Sequence, residues 1–126
     1  MGALVEKDSP RSVSDTVERL GELIEARGMK LFAVIDHSGE AAAAGLRLRE
    51  TRVVIFGSPV AGTPVMEAAP LAALDLPLKV LVWDDGGRTR IAYTAPGELA
   101  ARYGLDDELA GRLAGIGPLT DALLSG

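Results

Sequence analysis

The chain has 126 residues, of which 48% are hydrophobic and 25% charged, a composition that fits one globular domain and excludes a disordered chain. Its net charge of -5 repels phosphate backbones and anionic lipids, so we expect no nucleic-acid and no membrane partner. The absence of cysteine excludes disulfides and suits the cytoplasm, where we expect the protein to act. We expect a single domain over residues 1–126, with residues 1–10 loose or forming an edge strand.

The first predicted element is an amphipathic helix. Ser12 can accept hydrogen bonds from the backbone of a first turn, and Gly28 can end the helix in a left-handed conformation. Between them, apolar residues recur at helical spacing at Val13, Val17, Leu20 and Ile24.

The middle of the chain alternates apolar strands with short helices. Met29 to Asp36 is predicted as a strand, and the run EAAAAG that follows as a short helix closed by Gly45. Arg52 to Gly57 is predicted as a second strand. In AGTPVMEAAP a threonine precedes Pro64 at a first helical position and Pro70 ends the segment, so that a short helix or a wrapped loop fits equally well.

The C-terminal half begins with a predicted antiparallel hairpin. Leu78 to Trp83 and Arg90 to Thr94 are its strands, and DDGGR forms the turn. A helix from Pro96 to Gly104 follows, then a helical segment that breaks at GIGP before a last turn that ends at Leu124. Strands and helices in this order predict an α+β sheet with helices packed on one face.

The only histidine lies in LFAVIDHSG, where an apolar strand ends. Asp36 and His37 could supply a carboxylate and an imidazole to one site, but adjacent residues on a strand point to opposite sides. Alternatively, Asp36 caps the next helix and His37 packs locally. Both interpretations stay open.

Four further groups are candidates for a binding site. The strand end at Phe56, Gly57 and Ser58 offers N–H groups and a hydroxyl that suit an anion or a carbonyl. Lys79 either lies beside a carboxylate, Asp36 or Asp75, and binds a ligand with it, or extends into solvent. Two aromatic side chains of the hairpin either line a pocket or belong to the core: Trp83 and Tyr93.

Metal and cofactor chemistry lacks a sequence signal. One histidine without cysteine cannot build a zinc shell, and the turn that begins at Asp84 lacks the ligand spacing of a calcium loop. Neither nucleotide-binding fingerprint is present, and Ser58 does not lie in a GxSxG motif. We expect no metal and no cofactor.

Several segments in order resemble one family. TVERLGELIEARGMKLFAVIDH, AAAAGL, VVIFGSPVAGTPVM, LDLPLKVLVW and the later Tyr93 are similar to domain of unknown function 302, over about Val13 to Tyr103. Where members commonly have asparagine in the FG-x-P turn, this chain has Ser58. The positions that match the family motif are Asp36, His37, Phe56, Gly57, Pro59, Pro64, Met66, Asp75, Pro77 and Lys79.

The resemblance implies a fold and no reaction. It implies a curved, mainly antiparallel sheet with helices on one face, of β-α-β-β-β-β-α type as in the TATA-binding protein, often paired into homodimers. DNA binding does not follow from such a fold, because bending DNA requires a basic concave face and this chain is acidic.

Three functional hypotheses follow. The first is a domain that binds a small ligand or a partner in one pocket at the strand ends, which would gather Asp36, His37, the Phe56 to Ser58 turn and Lys79. The second is an enzyme in which His37 is the general acid or base, Asp36 orients it and Lys79 stabilises charge. The third is an assembly domain, and a homodimer is expected because an open sheet exposes apolar area.

Overall fold

The computed structural model describes residues 3–125, which form an α+β fold with one five-stranded antiparallel sheet. The strands are β1 (Leu4–Ser9), β2 (Lys30–Asp36), β3 (Thr51–Gly57), β4 (Leu78–Asp85) and β5 (Arg88–Thr94). Their order across the sheet is β1-β5-β4-β3-β2, so that β1 and β2 are the edges. The expected α+β class is confirmed, and Leu4–Ser9 forms the edge strand that was one of two expectations for the N-terminus.

The helices are α1 (Val13–Ala26), α2 (His37–Ala43), α3 (Pro59–Ala68), α4 (Pro96–Tyr103), α5 (Asp107–Gly111) and α6 (Ile116–Leu124). A 3₁₀ helix, Pro70–Asp75, connects α3 to β4. Ser12 caps α1 as predicted, since its hydroxyl accepts a hydrogen bond from the backbone N–H of Asp15 at 3.0 Å. Gly104 ends α4 with a left-handed φ of 62°.

The main core lies between the sheet and two helices, α1 and α6. We call the sheet surface that they cover the helical face; it carries Val54, Phe56, Val80, Val82, Ile91 and Tyr93. The opposite surface, the open face, carries Val53, Ile55, Leu81, Trp83 and Ala92. Every second residue of a strand points to the same face, so one apolar run supplies both surfaces.

A smaller core lies beyond one end of the sheet. It comprises Val65, Ala72, Leu99 and Leu113, and Leu78 packs against both this cluster and the main core. The segment from α3 through the 3₁₀ helix, with α4 and α5, therefore closes the end of the sheet at which β3 finishes and β4 begins.

The predicted start of α3 at Pro64 is wrong. The helix begins at Pro59, because the Ser58 hydroxyl accepts a hydrogen bond from the N–H of Ala61 at 3.2 Å and caps the first turn. Pro64 lies inside the helix, where its missing N–H removes one backbone hydrogen bond.

The predicted break at GIGP is misplaced by a few residues. Helix α6 begins at Ile116, within this motif, and Pro118 lies in its first turn. The N–H groups of a first turn have no partner inside the helix, so proline is tolerated there. The last element is therefore a nine-residue helix rather than a single turn.

Candidate functional site

A pocket opens at the end of the sheet where β3 finishes, between the two cores. Its volume is about 150 Å³. The lining is almost entirely apolar and comes from the β3 end, α3, the start of β4 and the segment before α6: Met29, Phe32, Phe56, Gly57, Ser58, Pro59, Ala61, Gly62, Met66, Leu76, Pro77, Leu78, Arg112, Leu113, Gly115 and Ile116. We call it the strand-end pocket.

At two positions that line the strand-end pocket, Gly57 and Gly62, the backbone conformation does not require glycine. Neither Gly57 nor Gly62 has a positive φ. A β-carbon on Gly57 would lie 3.5 Å from Pro77 Cβ, and one on Gly62 would lie 3.9 Å from Met66 Cε, both ordinary contacts. Glycine inside a helix is less stable than alanine by about 1 kcal/mol. The glycine of α3 therefore lowers helix stability and enlarges the pocket.

Few polar groups line the strand-end pocket. The Ser58 hydroxyl already accepts the capping hydrogen bond of α3. Arg112 forms an ion pair with Glu108, one helical turn earlier, at 3.1 Å, and about a third of its side chain is exposed. The interior of the pocket thus suits an apolar molecule. Among the described residues, its one charged lining residue is Arg112, at the exposed side.

Asp36 and His37 lie at the opposite end of the β2–β3 pair from this pocket. Lys30 is paired with Gly57 and Asp36 with Arg52, so Gly57 lies five residues along β3, about 17 Å away. The antiparallel register thus separates two turns that the sequence suggested as one site. The single pocket expected to hold Asp36, His37 and the Gly57 turn is not formed.

Asp36 caps helix α2. Its Oδ1 accepts hydrogen bonds from the Ser38 hydroxyl at 2.6 Å and from the Gly39 N–H at 2.9 Å. These bonds, the Ser38 one foremost, lower the pKa of the Asp36 carboxyl. His37 is the first residue of α2, and its exposed imidazole forms no side-chain hydrogen bond with residues 3–125. Of the two interpretations of Asp36, the structure therefore has the helix cap.

Lys79 does not join the Asp36–His37 pair. It is paired with Ile55, three residues from Arg52 on the adjacent strand, which puts it about 14 Å from Asp36 and on the other face. Its ammonium is exposed and donates a hydrogen bond to the Pro77 carbonyl at 3.3 Å. The three candidate catalytic residues therefore do not converge.

The two aromatic candidates occupy opposite faces. Trp83 is half-buried on the open face, where the guanidinium of Arg90 lies 5.9 Å from its ring centre. Tyr93 is 6% exposed in the main core, and the ammonium of Lys7 lies 5.3 Å from its ring centre. Neither lines the strand-end pocket.

Sequence reasoning found part of the pocket and missed the rest. It identified Phe56, Gly57 and Ser58 at the strand end. It did not assign Met29 or Arg112 to the pocket, because both are distant in sequence from Gly57, and it named Met66 only as a position that matches the family motif. Methionine fills irregular apolar space in most proteins, so its presence alone marks no site.

Within residues 3–125, histidine, aspartate and glutamate side chains form no group of three that could hold a metal ion. None of the helices in that range is both long and apolar enough to cross a membrane.

The fold and the pocket together define an α+β domain with one open sheet face and an apolar cleft at the end of the sheet. The chain belongs to the family described as Domain of unknown function DUF302, whose model matches residues 5–117. That family is uncharacterised, so membership assigns no catalytic function.

The chain is similar to proteins of the genus Brucella. The chain is 36% identical over 122 residues to proteins named "Fluoride-specific ion channel FluC 1" of Brucella suis biovar 1 and Brucella abortus biovar 1. The match covers 93% of this chain and 48% and 45% of those proteins, so the chain spans about half their length.

One solved structure is similar over its whole length. It is an uncharacterized conserved DUF302 protein from Bacillus stearothermophilus, with a TM-score of 0.83, 22% identity and coverage of 98% of this chain and 97% of that chain. This likeness confirms the fold. The likeness to the TATA-binding protein stays a prediction.

Proposed function

We propose that this domain binds a small apolar molecule in the strand-end pocket. The observation that carries the proposal is the pocket itself, a concave space of about 150 Å³ with an almost wholly apolar lining. Ligand sites are typically concave and apolar, with few polar groups that fix orientation. Among the predicted ligand-binding residues, Phe56, Gly57 and Ser58 belong to this proposal.

The volume limits the size of the ligand. An engineered cavity of about 150 Å³ lined by leucine, isoleucine and phenylalanine stays dry and binds benzene. The strand-end pocket has a comparable volume, and Phe32, Phe56 and Leu78 are among the side chains that line it. A single aromatic ring or a short branched hydrocarbon chain fits this space.

The ion channel activity in the relatives' name is not part of the proposal. That name belongs to whole proteins of which this chain resembles about half. A small hard anion such as fluoride is held by hydrogen-bond donors or cations, whereas this lining is apolar apart from the Ser58 hydroxyl and the partly exposed Arg112.

The test uses the two pocket methionines as reporters. The chain has three methionines, of which Met29 and Met66 line the pocket. We would label the methionine methyl groups with ¹³C, add benzene, toluene or indole, and record methyl shifts together with the melting temperature. Both pocket methyls should shift, and the melting temperature should rise.

Matched glycine variants locate the binding. Gly62→Leu should fill the pocket and abolish the probe-induced shifts. Gly97→Leu, in α4, is the control, because no heavy atom lies within 4 Å of the β-carbon it would gain. Gly62→Ala adds only one methyl group, retains the fold and should weaken binding. Unshifted Met29 and Met66 methyls in the wild type, or probe binding that survives in all three variants, would overturn the proposal.

We also propose that two copies of the chain form a homodimer. The segment from β2 to the start of β3 exposes large apolar side chains: Phe32 44%, Val34 42%, Ile35 38%, Leu46 66% and Leu48 44%. β2 is an edge strand, and exposed apolar side chains at a sheet edge are commonly covered by a partner. A bulge between Leu31 and Ala33 interrupts the edge, so side-chain packing rather than strand pairing would join the copies.

Light scattering at tens of micromolar protein tests the dimer. Ile35→Lys should give the monomer mass, because it puts a charge on the apolar surface. Leu71→Lys, at a 78% exposed position of the 3₁₀ helix, should retain the dimer mass. A monomeric wild type overturns the proposal, and so does a dimer that Ile35→Lys leaves intact.

A further inference from the structure

A second, more polar cleft shares two lining residues with the strand-end pocket. Leu78 and Ile116 line both the strand-end pocket and this cleft, whose volume is about 250 Å³. Its remaining lining residues are Asp75, Lys79, Thr94 and Leu99. We call it the Asp75 cleft.

The carboxylate of Asp75 is fixed in place and keeps one oxygen free. Its Oδ2 accepts a hydrogen bond from Arg102 Nη1 at 2.7 Å and another from the Tyr103 hydroxyl. Its Oδ1 accepts none from residues 3–125. The hydrogen bond from Tyr103, followed by that from Arg102, lowers the pKa of Asp75, so the group is ionised at neutral pH. One carboxylate oxygen is therefore oriented and available.

Lys79 brings a positive charge to the same cleft but forms no ion pair with Asp75. Lys79 Nζ donates one hydrogen bond, to the Pro77 carbonyl, and forms no ion pair with the described carboxylates. Both side chains line the cleft, and the charge of Lys79 adds to the hydrogen bonds from Tyr103 and Arg102 that lower the pKa of Asp75. An ammonium has three donors, so Lys79 retains two for a ligand.

The rest of the lining supplies a hydroxyl and an apolar floor. Thr94 is half-buried and has no hydrogen bond from its side chain to another described residue. Leu99 and Ile116 are 4% and 1% exposed and form the apolar part of the surface. The cleft thus combines an oriented anion, an exposed cation, a hydroxyl and an apolar wall.

We propose that the Asp75 cleft binds a small zwitterion, an α-amino acid with a short apolar side chain. The ligand's ammonium donates to Asp75 Oδ1, its carboxylate accepts from Lys79, and its side chain lies against Leu99 and Ile116. The ligand's ammonium and carboxylate are opposite in charge to Asp75 and Lys79, and Arg102, which pairs with Asp75 Oδ2, also pairs with Glu98. This inference is independent of the apolar ligand proposed for the strand-end pocket.

The probes separate the two charges. L-norvaline has both charged groups, pentanoate has only the carboxylate and pentylamine only the ammonium. Backbone amide chemical shifts of the residues at the cleft would report binding: Asp75, Leu76, Leu78, Lys79 and Thr94. We expect norvaline to bind about tenfold more tightly than either single-charge probe, since each loses one charge-assisted hydrogen bond.

Matched lysine variants assign the carboxylate contact. Lys79→Met should bind norvaline no more tightly than pentylamine, whereas Lys30→Met, an exposed lysine of β2, should bind like the wild type. The inference is overturned if norvaline shifts none of these amides, if either single-charge probe binds as tightly, or if Lys79→Met has no effect. Since Met29 and Met66 report on the other pocket, failure at one site is distinguishable from failure at the other.

Discussion

Lys30 lies directly opposite Gly57 in the antiparallel pairing of β2 with β3. This register puts the Gly57 turn beside the start of β2 and leaves Asp36 and His37 at its other end. The C-terminal ends of β2 and β3, which the sequence suggested as one site, therefore lie at opposite ends of the sheet.

The first prediction concerns His37. Because His37 is exposed and remote from the strand-end pocket, His37→Ala should leave benzene-induced shifts of the Met29 and Met66 methyls unchanged. The free energy of unfolding should change by less than about 0.5 kcal/mol, as is usual for surface substitutions. Loss of probe binding in His37→Ala would show that the histidine acts on the pocket after all.

The second prediction concerns the cap of α2. Asp36→Ala should lower the free energy of unfolding by about 0.5–2 kcal/mol, because the N–H of Gly39 and the hydroxyl of Ser38 lose their acceptor. Asp36→Asn retains a side-chain oxygen and should be nearly as stable as the wild type. Urea unfolding measures both variants. If Asp36→Asn were as destabilising as Asp36→Ala, the negative charge of Asp36, rather than its capping hydrogen bonds, would stabilise the fold.

The third prediction concerns Gly57, which is buried at the end of β3. Gly57→Val should lower the melting temperature, since valine's branched methyls extend beyond a β-carbon that already lies 3.5 Å from Pro77 Cβ and 3.8 Å from Phe32 Cε2. Overpacking of this kind costs about 1–3 kcal/mol. Gly57→Ala is the control and should have a smaller effect. An unchanged melting temperature in the valine variant would contradict the tight packing at this strand end.

The fourth prediction concerns acid stability. The pKa of Asp75 in the folded state is lowered from the ordinary aspartate value of 3.8, chiefly by the hydrogen bond from Tyr103. A carboxyl with a lowered folded pKa stabilises the fold above its unfolded pKa, and that contribution is lost as the pH falls through the folded pKa. The stability difference between wild type and Asp75→Asn should therefore be complete at neutral pH, and it should shrink as the pH falls below 3.8 and through the lowered pKa of the folded state.

Tyr103→Phe serves as the companion variant. It removes the strongest of the donors that lower the pKa of Asp75, so its unfolding free energy should fall less steeply with acid than that of the wild type. Urea midpoints between neutral and strongly acidic pH give both comparisons. If the unfolding free energies of wild type and Tyr103→Phe changed in parallel with pH, the Tyr103 hydrogen bond would not affect the protonation of Asp75.

Local patterns were sufficient for the elements and for part of the site. The helical spacing of Val13, Leu20 and Ile24 predicted α1, and all three are buried in the main core. The turn at DDGGR predicted an antiparallel hairpin, which β4 and β5 form. The start of α3 was predicted from the threonine before Pro64 alone, whereas the helix begins at Pro59 with Ser58 as its cap.

The sequence by itself determined the α+β class, the element order and the strand end at Phe56, Gly57 and Ser58, because periodicity, caps and turns act over a few residues. Only the tertiary structure decided which strand ends meet. Antiparallel register separates Asp36 from Gly57, and the packing of distant segments brings Met29 and Arg112 to the pocket at Gly57. Such contacts depend on pairings between residues distant along the chain, which a local pattern does not encode.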